Sequence, residues 1–212
     1  TESYDNVISL PDNTTNGQVS GVVRGLTATN LVENGDFRDG TKRWTRNGVE
    51  IFSNKNQLEI SFDIDGESAS GIYQTLLTGL VQGNKYYITT DILPMYSTGV
   101  LLGFDDNRSR VPVTPNIWNR CSVIKEFRSR KQVVIYHGAG YSAGESYNIR
   151  NVMAIDLTQT FGAGNEPTKE ECDQIFANYF DGTKSTISAM KVKSVGKNLI
   201  KEFEKGGLDG TG

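Results

Sequence analysis

Residues 147–184 decide the fold class, and they read YNIRNVMAIDLTQTFGAGNEPTKEECDQIFANYFDGTK. The apolar, β-branched stretch 147–157 contains no Gly or Pro, which predicts a strand. The next ten residues hold two glycines, an asparagine and a proline, which predicts a loop. Thr168 with Glu171 three positions later forms a capping box, so we expect a helix over 168–179. Its buried face is predicted from apolar residues at helical spacing, namely Cys172, Ile175, Phe176 and Tyr179. A single short helix after many strands has a covering role rather than a catalytic one.

The rest of the chain consists of short apolar or alternating segments separated by Gly, Asn and Asp turns. The clearest alternation is the segment 58–64, in which every second residue is apolar. The predicted strands are 19–26, 49–52, 58–64, 71–77, 85–93, 100–104, 117–127, 132–137 and 147–157. Turns every 8–12 residues are typical of an antiparallel sandwich or jelly roll. We therefore predict an all-β fold, an antiparallel jelly-roll β-sandwich with one short C-terminal α-helix.

Net charge and the lack of long apolar runs argue against nucleic-acid and membrane partners. The 212 residues carry a formal net charge of -3, which does not favour a nucleic-acid partner. No apolar run approaches the roughly 20 residues needed to span a bilayer, so no membrane partner is expected. The polar start indicates no signal peptide, and we expect the chain to be a piece of a longer protein. Cys121 and Cys172 match no disulfide framework or zinc motif and are predicted to be buried free thiols.

Three parts are expected along the chain. Residues 1–29 form an N-terminal linker and lead-in strand, residues 30–184 the jelly-roll domain, and residues 185–212 a C-terminal strand and tail that could begin a following module. The segment 19–32 lines up without a gap with 187–200, and their apolar positions match in kind. Either modules are repeated in tandem, or two amphipathic strands are similar by chance.

Two segments carry a resemblance to known families. The segment 30–44, NLVENGDF followed by Gly40 and Trp44, resembles the opening of carbohydrate-binding modules of the galactose-binding-like jelly-roll kind. The segment 147–176, with its FGAGNEPT loop and the YFDG turn after it, resembles a segment of tail and baseplate proteins from phages and prophages of Gram-positive bacteria.

The resemblance implies a non-catalytic carbohydrate-binding module that recognises host cell-surface polysaccharide. The alternative is a structural or oligomerisation module of a tail protein, without a ligand. In either case we expect a place in the virion tail, assembled in the host cytoplasm and acting at the host cell surface. Expected partners are host cell-wall polysaccharide, other phage tail proteins and further copies of the chain, for instance in a trimer.

A catalytic function is not favoured. Residues 140–144, GYSAG, match the G-x-S-x-G pattern, but a nucleophile elbow needs a following helix and a later histidine. A strand is predicted after Ser142, and His137 lies upstream, so this segment is predicted to be a hairpin loop. A hydrolase fragment would instead need a carboxylate pair, and no feature singles out two of the many Asp residues. We predict no enzyme activity and no required cofactor.

A structural Ca²⁺ is a further expectation. It comes from the resemblance, because related jelly rolls often hold calcium near their first and last strands. Asp156 lies on the last predicted strand, and the turn 33–36 lies near the first. A loop carboxylate that is only solvated is the alternative.

The sugar-binding prediction rests on strand parity. In the segment 85–93, Tyr86 falls on the core face, whereas Tyr87 and Asp91 share the other face. A ring beside a carboxylate suits a pyranose, whose C–H face packs on aromatics while its hydroxyls need polar partners. Tyr73 and Tyr136 are predicted to join this face from across the sheet. The alternative for each tyrosine is a core position with its hydroxyl at the rim.

Basic residues are concentrated between positions 108 and 131, with Glu126 as the acidic residue among them. The set is Arg108, Arg110, Arg120, Lys125, Arg128, Arg130 and Lys131. Such a patch could meet an anionic polymer such as teichoic acid, or a neighbouring subunit, or it could be a solvated face.

Overall fold

The computed structural model describes residues 26–66, 69–96, 99–138 and 140–185. Nearly all of the predicted lead-in strand and the tail after residue 185 lie outside these residues. Of the two similar segments, 187–200 lies outside them entirely and 19–32 is described only from residue 26. The described residues form twelve strands and two helices. In chain order these are β1 Thr27–Thr29, β2 Thr45–Asn47, β3 Glu50–Ser53, β4 Leu58–Ser61, β5 Ser70–Thr75, β6 Lys85–Pro94, β7 Gly99–Phe104, β8 Asn107–Pro112, β9 Asn119–Glu126, β10 Gln132–His137, β11 Ser146–Asp156, α1 Leu157–Phe161, α2 Lys169–Ile175 and β12 Thr183–Ser185.

The strands build two five-stranded antiparallel sheets and a short ribbon. The first sheet has the order β2-β5-β10-β7-β8, and the second sheet has the order β3-β4-β11-β6-β9. The ribbon pairs β1 with β12, so residues 27–29, the end of the predicted linker and lead-in strand, pair with residues 183–185. The predicted antiparallel jelly-roll β-sandwich is confirmed. Within the described part of the chain, no helix is long and apolar enough to cross a membrane.

The main core lies between the two sheets. Alternating residues of the strands point into it, as Tyr86, Ile88 and Ile92 of β6 do, and all three are fully buried. Tyr86 packs edge-on against Phe104 at a centroid distance of 5.4 Å. Each such large side chain contributes about 1.5–3 kcal/mol through burial. Cys121 also belongs to this core, as predicted, and burial raises the pKa of its thiol to about 12.

A second core lies under α2, on the outer face of the second sheet. It contains Tyr87, Met153 and Ile155 from the sheet, and Cys172 and Phe176 from the helical segment. The expected aromatic face of the helix therefore does cover the sheet. Its capping box is present in full, because the Thr168 side chain accepts from the Glu171 amide while the Glu171 carboxylate accepts from the Thr168 amide.

The helical content differs from the prediction in two ways. Helix α2 is shorter than predicted, because it ends at Ile175 and Phe176 is its C-cap. In addition, a second helix, α1, follows β11 directly, in a region predicted to be the end of a strand and a loop. The cause is Asp156, whose side chain caps α1 by accepting a hydrogen bond from the Gln159 amide at 2.8 Å.

The segment that resembles the opening of carbohydrate-binding modules has a packing role. Gly35 lies against a bulge of β11, and a Cβ on Gly35 would clash with the Val152 carbonyl, so no larger residue fits there. The buried Asn30 ties the strand beside this bulge to the segment after α2: its Oδ1 accepts from the Ala154 amide at 3.0 Å, and its Nδ2 donates to the Phe180 carbonyl at 3.0 Å. Trp44 closes the loop by donating its indole N–H to the Asn34 carbonyl.

Candidate functional site

The described residues form a groove on the outer face of the first sheet. Its volume is about 390 Å³, within the range of small-molecule sites. The alternation of β10 explains its position, because Val133 and Ile135 point into the main core and Gln132 and Tyr136 therefore face outwards. The residues that line the groove are Asn47, Ala69, Tyr73, Asp105, Arg108, Gln132 and Tyr136.

Two of the four predicted sugar-binding residues thus come together here. Tyr73 lies on β5 and is half-buried, directly opposite Val134 of β10. Tyr136 lies two residues further along β10, and only 6% of it is exposed. The guanidinium carbon of Arg108 stands 5.6 Å from the centre of the Tyr136 ring. Burial raises the pKa of Tyr136, with a further increase from the nearby Asp105 carboxylate.

The groove also holds planar polar groups. Asn47 and Gln132 bring side-chain amides, and Asp105 brings a carboxylate. One Asp105 oxygen accepts from Arg108 at 3.0 Å, and the other accepts from Arg130 at 3.2 Å. The carboxylate is thereby held in place by two cations. Amides, carboxylates and guanidinium groups are the planar partners that saccharide hydroxyls need, and tyrosine rings supply the apolar surface beside them.

Tyr87 does not belong to this groove, and the structure corrects its predicted role. The strand alternation was predicted correctly, since Tyr86 faces the main core and Tyr87 faces the opposite side of the sheet. However, Tyr87 is fully buried beneath α2, where its ring stacks on Phe176 at 5.6 Å and its hydroxyl donates to Asp173 at 2.7 Å. A sugar ring has no access to Tyr87 in this arrangement.

Asp91 is likewise separated from Tyr73 and Tyr136, because it lies on the second sheet. Its carboxylate is engaged by three neighbours: Arg120 at 3.2 Å, Arg150 at 3.5 Å and the Asn151 amide at 2.8 Å. These contacts tie β6 to β9 and β11. Asp91 therefore has a packing role on a face that the groove does not share.

The residues predicted for calcium do not fit such a site. Asp156 is 4% exposed, and both of its oxygens have protein donors, the Gln159 amide at 2.8 Å and the Asn84 side chain at 2.8 Å. Glu33 forms an ion pair with Arg43. In residues 26–66, 69–96, 99–138 and 140–185, no three acidic, His or Cys side chains cluster as ligands would. A calcium site through Asp156 stays a prediction that these contacts do not favour.

The segment GYSAG forms a loop, as predicted. Strand β11, not a helix, follows Ser142, and Tyr141 forms a bridge with Gly66. His137 is 5% exposed and packs between Phe62 and Tyr141 at the end of the sandwich. This geometry has none of the features of a nucleophile elbow.

Sequence reasoning missed several groove residues. The alternation of QVVIYH, residues 132–137, already puts Gln132 and Tyr136 on one face, so Gln132 could have been found. The same alternation in NRSRVP, residues 107–112, puts Arg108 and Arg110 together, but this stretch was not predicted as a strand. Asn47 and Asp105 had no local signal, because they reach the groove only through the pairing of distant strands.

Comparison with known proteins adds little beyond the fold. No protein-family model matches the chain, and no curated protein matches its sequence. Similar solved structures include a family 16 carbohydrate-binding module (13% identity, TM-score 0.42, covering 60% of this chain and 100% of that one). Another is a CBM4 module (14% identity, TM-score 0.42, 58% of this chain and 98% of that one). A third is the enzymatically active domain of tailspike protein 4 from bacteriophage CBA120 (15% identity, TM-score 0.42, 59% of this chain and 21% of that one). Likeness at this level carries no argument about function, which we therefore take from the groove.

Proposed function

We propose that this protein is a non-catalytic carbohydrate-binding module, and that the groove on the first sheet binds host cell-surface polysaccharide. The observation that carries the proposal is the convergence of Tyr73 and Tyr136 with the Asn47 and Gln132 amides in one groove. A saccharide residue would lie against Tyr73 with its hydroxyls bonded to the amides. Neutral hydrogen bonds of this kind contribute about 0.5–1.5 kcal/mol each, so several are needed for useful affinity.

The lining supports binding rather than hydrolysis. Among the described residues that line the groove, Asp105 is the one carboxylic acid, whereas glycosidases ordinarily use two. Both oxygens of Asp105 also accept hydrogen bonds from arginines, Arg108 and Arg130, so this carboxylate is already engaged by the protein.

The place of this module in a phage or prophage tail is part of the same proposal. It is supported by the sequence resemblance of residues 147–176 to tail and baseplate proteins. The proposal includes assembly in the host cytoplasm, action at the cell surface, and contacts with other tail proteins, including copies of itself.

A structural module without a ligand is the second candidate. The observation in its favour is that Tyr136 is nearly buried and its ring is already approached by Arg108. In that case the groove is only the irregular surface of a sheet, and Arg108 packs on Tyr136 for stability.

Binding to purified Gram-positive cell walls and to a glycan array separates the two candidates. Tyr73→Ala and Asn47→Ala change groove residues outside the two hydrophobic cores, so the melting temperature should stay near that of the wild type. Each should weaken binding about two- to tenfold or more, the equivalent of one lost contact. Phe52→Ala is the matched control, because Phe52 is 56% exposed on the other sheet. Unchanged binding in both groove variants, or no binding by the wild type, would favour the structural module.

A further inference from the structure

A second arginine, Arg110, lies next to the end of the groove at Tyr136, although it is not one of the residues that line the groove. Arg108 and Arg110 alternate with Ser109 on the edge strand β8, so both face outwards from the first sheet. Leu101 pairs with Arg110 on one side and with Tyr136 on the other. Arg110, Leu101 and Tyr136 therefore form one row across three strands.

The Arg110 side chain extends along this row towards β10. A Cβ on Gly99 would clash with its Nε, and a Cβ on Gly138 would lie 3.0 Å from its Nη1. Gly138 follows the end of β10, two residues after Tyr136. The guanidinium thus crosses β7 and lies over two positions where the absence of a side chain leaves it room.

The partners of the two arginines differ. Arg108 donates to Asp105 at 3.0 Å, and Arg130 shares the same carboxylate at 3.2 Å. For Arg110 no ion pair or hydrogen bond is present with any residue that the structure describes. The Asp105 carboxylate is therefore shared by Arg108 and Arg130, whereas the charge of Arg110 has no carboxylate partner among the described residues.

We propose that Arg110 is an anion-binding residue and that the groove prefers an acidic saccharide, one with a carboxylate or a phosphate on the sugar chain. The inference rests on the proposed sugar-binding function. The guanidinium has five donors in a planar fork that matches a carboxylate or a phosphate in a bidentate manner. With a sugar ring on Tyr73 and Tyr136, the acidic group lies at the β8 end and accepts from Arg110.

The first test compares matched probes by isothermal titration. A hexamer of galacturonic acid and its fully methyl-esterified counterpart share one sugar chain but differ in whether the carboxyl groups are charged or are neutral methyl esters. Poly(glycerol phosphate) presents phosphate instead of carboxylate. The wild type should bind one of the two acidic probes at least tenfold more tightly than the neutral ester. Which of the two acidic probes binds more tightly shows whether the recognised group is a carboxylate or a phosphate. Equal affinity for the acid and the ester, with poly(glycerol phosphate) no better than the ester, would overturn the proposal.

The second test uses three variants. Arg110→Gln should lose about tenfold or more in affinity for the acidic probe and little for the neutral ester. Arg110→Lys, which keeps the charge but not the planar fork, should lose affinity as well. Arg128→Gln is the control, because it removes the same charge from an exposed arginine in the loop before β10, whereas Arg110 lies over Gly138 after the end of β10. Equal losses in Arg110→Gln and Arg128→Gln would show general charge attraction and overturn the specific role.

The two proposals fail in different ways. Cell-wall binding that depends on Tyr73 but not on Arg110 would overturn the preference for acidic sugars and leave the sugar-binding groove standing. Binding that depends on neither residue would overturn both.

Discussion

The ring of Phe176 stacks on the ring of Tyr87, with a centroid distance of 5.6 Å and an angle of 28° between the planes. This contact joins the end of α2 to the outer face of the second sheet, the face predicted to hold a sugar. The helix therefore occupies the surface that strand parity alone would leave open. The groove belongs to the outer face of the first sheet, on the opposite side of the sandwich, and neither of the two described helices covers it.

Phe176→Ala should destabilise the protein by about 3–5 kcal/mol, the usual cost of removing a buried Phe. Phe176 is 1% exposed and packs between the sheet and the segment around Phe161 and Phe180. Denaturant-induced unfolding measures the loss. Phe52→Ala should change stability much less, because Phe52 is largely exposed. A loss below about 1 kcal/mol for Phe176→Ala would mean that the helix is peripheral to folding.

Tyr87→Ala should also destabilise the fold, contrary to what an outward-facing sugar platform would show. The variant removes a fully buried ring from the second core together with the hydrogen bond to Asp173, so we expect a loss of about 3 kcal/mol or more. Tyr87→Phe keeps the ring and loses only the hydroxyl, at about 1 kcal/mol. Thermal melts compare the two. A Tyr87→Ala protein with an unchanged melting temperature but weaker glycan binding would restore the sugar-binding role of Tyr87.

Asp173 should make the docking of α2 sensitive to acid. Burial raises its pKa, but hydrogen bonds from Ser122, Tyr87 and Lys169 outweigh burial, and the net shift is downwards from 3.8. Because the pKa of Asp173 is lower in the folded than in the unfolded protein, its ionised form stabilises the fold. This stabilisation is fully present above the unfolded-state pKa and is lost as the pH falls through the folded-state pKa. Asp173→Asn should therefore cost about 1–2 kcal/mol at pH 7, a modest figure because the carboxylate is 31% exposed.

The same variant predicts a pH profile. The difference in unfolding free energy between the wild type and Asp173→Asn should stay constant from pH 7 to about pH 5, and shrink below about pH 4. Asp39→Asn, at an exposed position, should show no such difference. If this difference in unfolding free energy is unchanged at pH 2–3, the charge of Asp173 does not stabilise the fold.

Asn30→Ala should cost about 1–3 kcal/mol, because the buried amides of Val32 and Ala154 lose their common acceptor. Hydrogen exchange should then accelerate first at the β11 bulge and at β1, which Asn30 holds together. Asn165→Ala is the control, an exposed asparagine in the loop before α2. Equal stability of the two variants would show that the Asn30 network is replaced by water at no cost.

Features set by local chemistry were predictable from the sequence. The capping box of Thr168 and Glu171 depends on residues three apart, and β10 begins and ends where its apolar pattern does. Strand β8 was missed, because NRSRVP has a polar pattern that becomes a strand only through pairing with β7. Helix α1 was missed because Leu157 continues the apolar run of β11. The helix starts there because the Asp156 side chain caps it with a hydrogen bond.

The site was predictable in part for the same reason. Parity correctly separated Tyr86 from Tyr87, since it depends only on the alternation of one strand. Which sheet an outward tyrosine belongs to, and whether a helix lies over it, depends on contacts between residues almost a hundred positions apart. The pairing of Tyr87 with Asp173 and the meeting of Asn47 with Tyr136 in one groove are both of this kind.

The ribbon of β1 and β12 determines how the folded unit would respond to tension. Thr27 lies opposite Ser185 and Thr29 opposite Thr183, so the chain enters and leaves the unit at neighbouring points. A force that pulls these two points apart acts across the ribbon, so its hydrogen bonds break one after another. They are not loaded in parallel, as they would be in shear. The ribbon should therefore peel apart at low force, and the load would next reach the Asn30–Ile155 bridge and the sandwich behind it. The unit then gains a few residues of slack on each side before the strands of the sandwich are loaded.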